Sequence, residues 1–334
     1  MTFIQKYHQA IDISNWQRDE EFAEYPEGAR DKTLLYSPAD TTYPFLKNGH
    51  RYFFKRSSPR GAEQYWLEIL AYCLGREMSI PVPPAYVAYD SNQNQSGALI
   101  EWFLKQIPLS GYEMSPIRPV INEIHRLGGD YCQQYLPEFD RKKGKQHNFE
   151  TIKQIFCDLE ASHPHCNTDW KNYWGMAFAF DALIGNTDRH QDNWGIIATP
   201  AVTILAEEKI RISPIFDNGT SMGYEISSNK FKDYENETRL ENYVSKGRHH
   251  MKWRLSDRTS LNHTEMLKTF TEEYPETKPI ILNNLRKINN GKFRDMLDEL
   301  TSFDVPVRLS ADRASFMLTL LQFRYRKLLE LLEK

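Results

Sequence analysis

Three side chains in the second half of the chain have the types and spacing that phosphoryl transfer requires. Asp188 opens the run Asp188-Arg189-His190-Gln191-Asp192-Asn193, so an amide follows a carboxylate by five residues. A second carboxylate comes twenty-four residues after Asn193, in Ser213-Pro214-Ile215-Phe216-Asp217-Asn218-Gly219. Moving the γ-phosphoryl group of ATP to a hydroxyl needs one carboxylate to orient or deprotonate the acceptor. It also needs a second carboxylate and an amide oxygen to hold Mg2+ against the phosphate oxygens, where transition-state charge collects. Asp188 suits the first role, and Asn193 and Asp217 suit the second. Kinase catalytic loops show the same five-residue step, and Asp217-Asn218-Gly219 stands where their Asp-Phe-Gly would. Either motif alone is usually a solvated turn; their order, and the β-prone stretches between them, carry the reading.

The same chemistry asks for a cation on the α- and β-phosphates and a partner to fix it. Lys55 lies late in the aromatic stretch Arg51 to Ser57, and Glu68 follows thirteen residues later in a helical pattern. The two are expected to pair, although an exposed strand lysine is the plain alternative. The phosphate-covering loop is expected at Glu27-Gly28-Ala29-Arg30-Asp31-Lys32, with Gly28, Arg30 and Lys32 as contacts, though a full glycine-rich motif is missing. Arg189 and His190 are expected to brace the catalytic loop, with His190 counted among the nucleotide-side residues.

Elements to position these groups are legible around them. Thr33 to Pro38 and Arg51 to Ser57 read as strands, with Lys47-Asn48-Gly49 as a turn between them. Ala62 to Met78 reads as a helix with Tyr65, Ile69 and Cys73 on one stripe and Trp66, Leu70 and Leu74 beside it. Val82 to Asp90 and Ser96 to Leu104 supply two more strands. Helical patterns dominate from about Pro108, including one capped by Thr168 or Asp169 and stopped at Gly185. A last amphipathic helix runs from Ser310 to Lys334, with Phe316, Leu320 and Phe323 on one side. The expected fold class is α+β and bilobal, protein-kinase-like: a small β-rich lobe over 1–105 and a larger, mainly helical lobe over 106–334.

Composition fits an ordinary folded protein of 334 residues, 40% hydrophobic and 26% charged. A formal net charge of -3 gives no reason to expect nucleic acid as a direct partner. No apolar run approaches a membrane span, so no membrane partner is expected. Cys73, Cys132, Cys157 and Cys166 form no close pair, which favours a reducing compartment and a cytoplasmic location. His163, His165 and Cys166 are metal-capable but lack a second ligand pair at zinc spacing. The charged run Asp140 to Lys145 reads as a solvated loop.

In five ordered stretches the chain resembles the HipA-like serine/threonine kinases: GARDK-TLLY, YFFK, the helix with Glu68, FDALIGNTDRHQDNWG and SPIFDNGTSM. Weaker likeness continues through KGRHHMKW and the final helix. The Asp-Arg-His-x-x-Asn core is also similar to phosphatidylinositol 3- and 4-kinases. The resemblance implies ATP bound between the lobes, with Glu101 to Phe103 meeting the adenine through backbone groups, and Mg2+ on Asn193 and Asp217. It also implies a toxin of a toxin–antitoxin system that phosphorylates a protein of the translation apparatus, such as a translation factor or an aminoacyl-tRNA synthetase. A DNA-binding antitoxin protein would be its regulatory partner. A lipid kinase and a nucleotide-holding module without turnover are the alternatives; a metal-dependent phosphoesterase would want a denser cluster of His and Asp ligands.

Overall fold

Alternation of apolar side chains builds the first layer. In the computed structural model, which describes residues 5–19, 32–57, 61–107, 120–163, 168–200 and 209–334, six strands form one curled sheet. They are β1 (Ile11–Asp12), β2 (Gln17–Arg18), β3 (Lys32–Tyr36), β4 (Arg51–Arg56), β5 (Ala85–Asp90) and β6 (Gln95–Glu101). The sheet order is β1-β5-β6-β4-β3-β2, antiparallel except where β1 runs parallel to β5. The β3–β4 register places Lys32 opposite Lys55 and Leu34 opposite Phe53. Lys32 and Lys55 therefore share one face of the sheet, while Phe54 points to the other.

Helix α1 (Tyr65–Glu77) is the expected helix shortened at its start, with every residue from Tyr65 to Gly75 buried. Both expected stripes are core because the helix is covered on all sides. Trp66 packs on Phe303, and the Tyr65 hydroxyl and Trp66 indole both donate to the Val307 carbonyl, at 2.5 and 3.2 Å. The sheet lies on one flank and the end of the helical lobe on the other.

The helical lobe also contains strands, two of them in the β-prone stretches expected between the acidic motifs. β7 (Gln106–Ile107) pairs with β8 (Val120–Ile121), and β9 (Ile124–Leu127), β10 (Gly195–Thr199) and β11 (Lys209–Ile212) form a sheet in the order β11-β10-β9. The helices are α2 (Gly128–Tyr135), α3 (Phe149–Ser162), α4 (Trp170–Ile184), α5 (Glu237–Lys246), α6 (His263–Glu273), α7 (Lys278–Leu285), α8 (Asn290–Thr301) and α9 (Ala311–Leu332). No helix among the described residues is long and apolar enough to cross a membrane.

α4 is the platform of this lobe. Asp169 precedes it and Gly185 ends it in a left-handed conformation at φ 66°, where an added Cβ would overlap the Arg324 guanidinium. An aromatic cluster surrounds the helix: Trp174, Phe178, Trp253 and Phe270 all lie against Phe149, with Trp253 stacked on it at 4.9 Å. Each such fully buried ring contributes about 1.5–3 kcal/mol relative to exposure. Trp194 meets Trp174 edge to face at 5.5 Å, tying the segment after Asn193 to the cluster. Gly128 lets α2 approach that indole, since a Cβ there would overlap it. On the outer side of the lobe, Phe316, Leu320 and Phe323 of α9 pack with Phe231 and Leu240 in a separate small core, the apolar side that the sequence marks.

Several histidines are built into this interior in their neutral form. Burial, helped by nearby His249, lowers His263 to about 3, and its Nε2 donates to the Asn186 carbonyl at 2.7 Å. Burial and the neighbouring His190 lower His250 to about 4, and His147 is pushed well down by burial and its histidine neighbours. Above an ordinary histidine value near 6.5 neither the folded nor the unfolded state binds these protons. Below it the unfolded chain binds them and the native state does not, so stability falls as pH drops from about 6.5 toward 3. The urea midpoint should therefore decrease between about pH 7 and about pH 5, where carboxylates hardly titrate. His263→Gln should flatten that slope; a midpoint independent of pH over this range would contradict the assignment.

Candidate active site

The hairpin of β10 and β11 brings the two acidic motifs together. Ile196 pairs with Ile212, and the Ser213 amide donates to the Gly195 carbonyl at 2.9 Å. Asn193 enters the hairpin and Asp217 leaves it at the same end, as the spacing implies. The Asp188 loop is wound tightly: the Asn186 side chain accepts from the Asp188 amide at 3.0 Å, and Asn193 Nδ2 donates to the Asp188 carbonyl at 2.6 Å. That bond uses the amide's N–H side and leaves Asn193 Oδ1 as its acceptor atom. The Thr220 hydroxyl lies 3.5 Å from Asp188 Oδ2, so the two motifs come into contact there.

Arg189 is the hub of both loops. It is 1% exposed, and all five of its N–H groups are engaged. Nε and Nη2 form a fork on Asp181 at 3.1 and 2.8 Å, and Nη2 also donates to Asn218 Oδ1 at 2.7 Å. Nη1 donates to the carbonyls of Asn193 and Phe216, at 3.2 and 2.6 Å. Those carbonyls belong to one candidate metal-binding residue and to the immediate neighbour of the other. Burial alone would raise the Asp181 carboxyl, but the Arg189 charge and bonds from Arg189 and His249 hold it well below the usual carboxylate range. His249 Nε2 lies 3.2 Å from Asp181 Oδ2 and Asn186 Nδ2 lies 3.1 Å from Asp181 Oδ1. Asp181 and His249 have no role in the sequence reading. The signal for Asp181 was present, an acidic residue inside the apolar run of α4.

The sheet side completes the site. Lys55 Nζ contacts Glu68 Oε1 at 2.7 Å and Asp217 Oδ1 at 2.5 Å, and the other oxygen of Glu68 accepts from the Asn218 amide at 3.0 Å. The expected lysine–glutamate pair is thus present, and it grips the second acidic motif directly. Asp217 has a left-handed backbone at φ 56°, which turns its carboxylate toward Lys55. Lys32 is brought beside Lys55 by register, whereas Gly28 and Arg30 lie outside the described residues, as do His165 and Cys166.

At the other wall, Glu101 is buried and paired with Lys47 at 2.6 Å. The Trp102 amide donates to the Arg51 carbonyl and the Phe103 carbonyl accepts from Arg211, at 3.0 and 3.1 Å. The Phe103 ring packs against Phe216 at 5.4 Å, next to Asp217. His190 is half-buried; its Nδ1 accepts from the Asp192 amide at 3.1 Å, which keeps it as a loop brace. A cavity of about 110 Å3 lined by Trp16, Thr33, Leu35 and Phe54 lies on the opposite face of the sheet from Lys55.

Asn193 Oδ1 and the Asp217 carboxylate are hard oxygen donors, a set that suits Mg2+ completed by phosphate and water oxygens. Among the described residues no cluster of three or more His, Cys, Asp or Glu could hold a metal by itself. A cation here would depend on a ligand that brings oxygens of its own.

No curated protein matches the sequence. Among solved structures, the chain is similar to the proinflammatory kinase CtkA of Helicobacter pylori, at 16% identity and a TM-score of 0.68, covering 97% of this chain and 96% of that one. This likeness shows the bilobal kinase-like fold. A toxin–antitoxin HipA of Shewanella oneidensis MR-1, solved with HipB and operator DNA, matches at 13% identity and a TM-score of 0.48, over 94% of this chain and 66% of that one. The model of the HipA-like C-terminal domain matches residues 26–278, most of the length, and the chain belongs to that family.

Proposed function

We propose that this chain is a Mg-ATP-dependent serine/threonine protein kinase. The observation that supports it most is the continuous link Asp217–Lys55–Glu68–Asn218, which joins the sheet, α1 and the second acidic motif. Lys55 spends two of its three N–H donors on Glu68 and Asp217, and the third is left for a phosphate oxygen. Lys32 stands beside it for the same anion, with Gly28 and Arg30 supplied by the preceding segment. Glu101 and Phe103 mark the adenine side, and His190 borders the nucleotide from the catalytic loop. We place the lobe boundary between 105 and 106.

Asn193 and Asp217 would hold Mg2+, which when bound neutralises charge on the transferring group. Asp188 then has the acceptor hydroxyl to itself. It orients the nucleophile and takes its proton as the new P–O bond forms and the bond from the γ-phosphorus to the β–γ bridging oxygen breaks, releasing ADP. Arg189 keeps the two loops at fixed separation, so that acceptor and phosphate meet in line. Family membership supports the further reading of a toxin that acts on a protein of the translation apparatus and is restrained by an antitoxin partner.

The test is transfer from γ-labelled ATP into a bacterial lysate. A labelled protein band is expected, absent with Asp188→Ala and with Asp217→Ala. Asp188→Ala should keep Mg-ATP binding and lower turnover by about 100- to 10,000-fold, whereas Asp217→Ala should lose the metal-dependent part of binding as well. Label confined to the lipid extract, or wild-type turnover by Asp188→Ala, would overturn the reading.

Asp181→Asn probes the brace beneath the loops. It leaves a buried guanidinium uncompensated, so a stability loss of roughly 3–5 kcal/mol is expected in denaturant. Below the unfolding transition kcat should fall more than KM for ATP rises, because the loops shift relative to each other. Wild-type kcat in that variant would remove Arg189 from the positioning role.

A further inference from the structure

The charged run Asp140 to Lys145, read from sequence as a solvated loop, is fixed against the catalytic loop. Arg141 contacts Asp192 through Nε at 3.0 Å and Nη2 at 2.9 Å, and reaches Asp130 through Nη1 at 2.6 Å. Gln191 Nε2 donates back to the Arg141 carbonyl at 2.5 Å, and Gly144 lies so close to Gln191 that a Cβ would overlap it. Gln191 and Asp192 follow Asp188 by three and four residues. The loop is therefore anchored at the acceptor end of the site by one of its own cations, while its others stay outside.

A second basic segment runs alongside. The Lys252 amide donates to the His147 carbonyl at 3.0 Å, the Phe149 amide to the Lys252 carbonyl at 2.9 Å, and the Glu150 amide to the Trp253 carbonyl at 3.1 Å. The rings of His190 and His250 meet edge to face at 5.8 Å and join this segment to the catalytic loop. Residues 140–148 carry four cations against one carboxylate, and residues 246–258 five against one, in a chain of net charge -3. Asp140 is engaged by Lys143 at 3.3 Å. Lys142, Lys145, Arg254 and Arg258 are exposed and Lys252 half-buried; none of the five forms a close ion pair among the described residues, although the Arg254 charge favours the Glu273 carboxylate, and Glu150 accepts from the Leu255 amide at 3.3 Å. The five sit on two segments that backbone hydrogen bonds and the His190–His250 contact join to the catalytic loop.

We propose that this two-loop surface docks an acidic polypeptide segment of the substrate, next to the hydroxyl that receives phosphate; the proposal rests on the kinase reading of the same site. Unpaired like charges repel one another, and an acidic chain relieves that repulsion while gaining orientation. A nucleic acid fits less well, because the whole chain is acidic, with an isoelectric point near 6.4. A membrane fits less well because docking in the interface needs an apolar helix face. On these loops Leu255, 40% exposed, is the single large apolar side chain left open among the described residues.

The experiment uses the full chain and a fluorescein-labelled peptide with one serine flanked on both sides by glutamates. Its counterpart carries lysines in place of the glutamates. Anisotropy should show binding of the acidic peptide only, weakening with added salt. Lys142→Glu/Lys145→Glu and Lys252→Glu/Arg254→Glu should each weaken it about tenfold, with Mg-ATP binding unchanged. Asp188→Ala should bind the peptide normally and fail to phosphorylate it. Equal affinity for the two peptides, or indifference to both charge reversals, would overturn the docking surface. So would tighter binding to an RNA oligonucleotide or to phosphatidylserine vesicles, lost in the same reversals. If the peptide binds as expected but no nucleotide binds, the kinase reading fails and the docking surface stands.

Discussion

The whole site depends on a buried guanidinium that must find five acceptors. Arg189 cannot lose its charge, and removing it from water is costly unless every N–H is satisfied. The chain meets that demand with one carboxylate from α4, one side chain from the segment after β11 and one backbone carbonyl from each acidic motif. None of these acceptors can move far without stranding a donor in the interior. The relative position of Asn193 and Asp217 is thereby set by the geometry of a planar fork. A lysine, with a single tetrahedral head on a flexible stem, could not impose it. His249 and Asn186 extend the restraint, since both reach the same Asp181 carboxylate.

Glu68 does for the two lobes what Arg189 does for the two loops. One of its oxygens holds Lys55 on β4, and the other holds the backbone amide of Asn218 in the helical lobe. Burial of α1 on all sides makes that carboxylate immobile, because rotating the helix would drag Trp66 and Tyr65 off Val307. The site therefore inherits its rigidity from packing at a distance. Movement of one lobe against the other would have to break the Lys55–Asp217 contact or carry α1 with it.

Most of the candidate site was legible because its residues fall in short local patterns. The five-residue step from Asp188 to Asn193, the strand ending in Lys55 and the helix bearing Glu68 all survive as contacts. The turn at Gly49 and the stop at Gly185 follow from residue types that tolerate a left-handed backbone. What escaped were partners recruited across the chain. β9 is four residues long and pairs with a strand about seventy positions later, so no periodicity marks it. Asp181 was readable only as an oddity within α4, since nothing in its neighbourhood names Arg189. The Asp140–Lys145 loop looked solvated because its anchor, Asp192, belongs to a distant motif.

Under the kinase reading, the charges of the described residues favour a divalent cation at the site. Glu68, Asp188 and Asp217 bring three carboxylates to the meeting of sheet and loops, and Arg189 is already spent on Asp181. Among the described residues, Lys55 and Lys32 supply positive charge on that side. A nucleoside triphosphate placed there adds several negative charges within a few ångströms of Asp217, at a cost that lysines alone cannot offset. Among the described residues the protein offers oxygen donors at that point but too few to trap a metal by themselves. Under the kinase reading, metal and nucleotide would bind as one unit, each supplying what the other lacks. Coupled binding of this kind would confine the electrostatic cost to the moment when both are present, with Lys55 held by Glu68 and Asp217 beforehand.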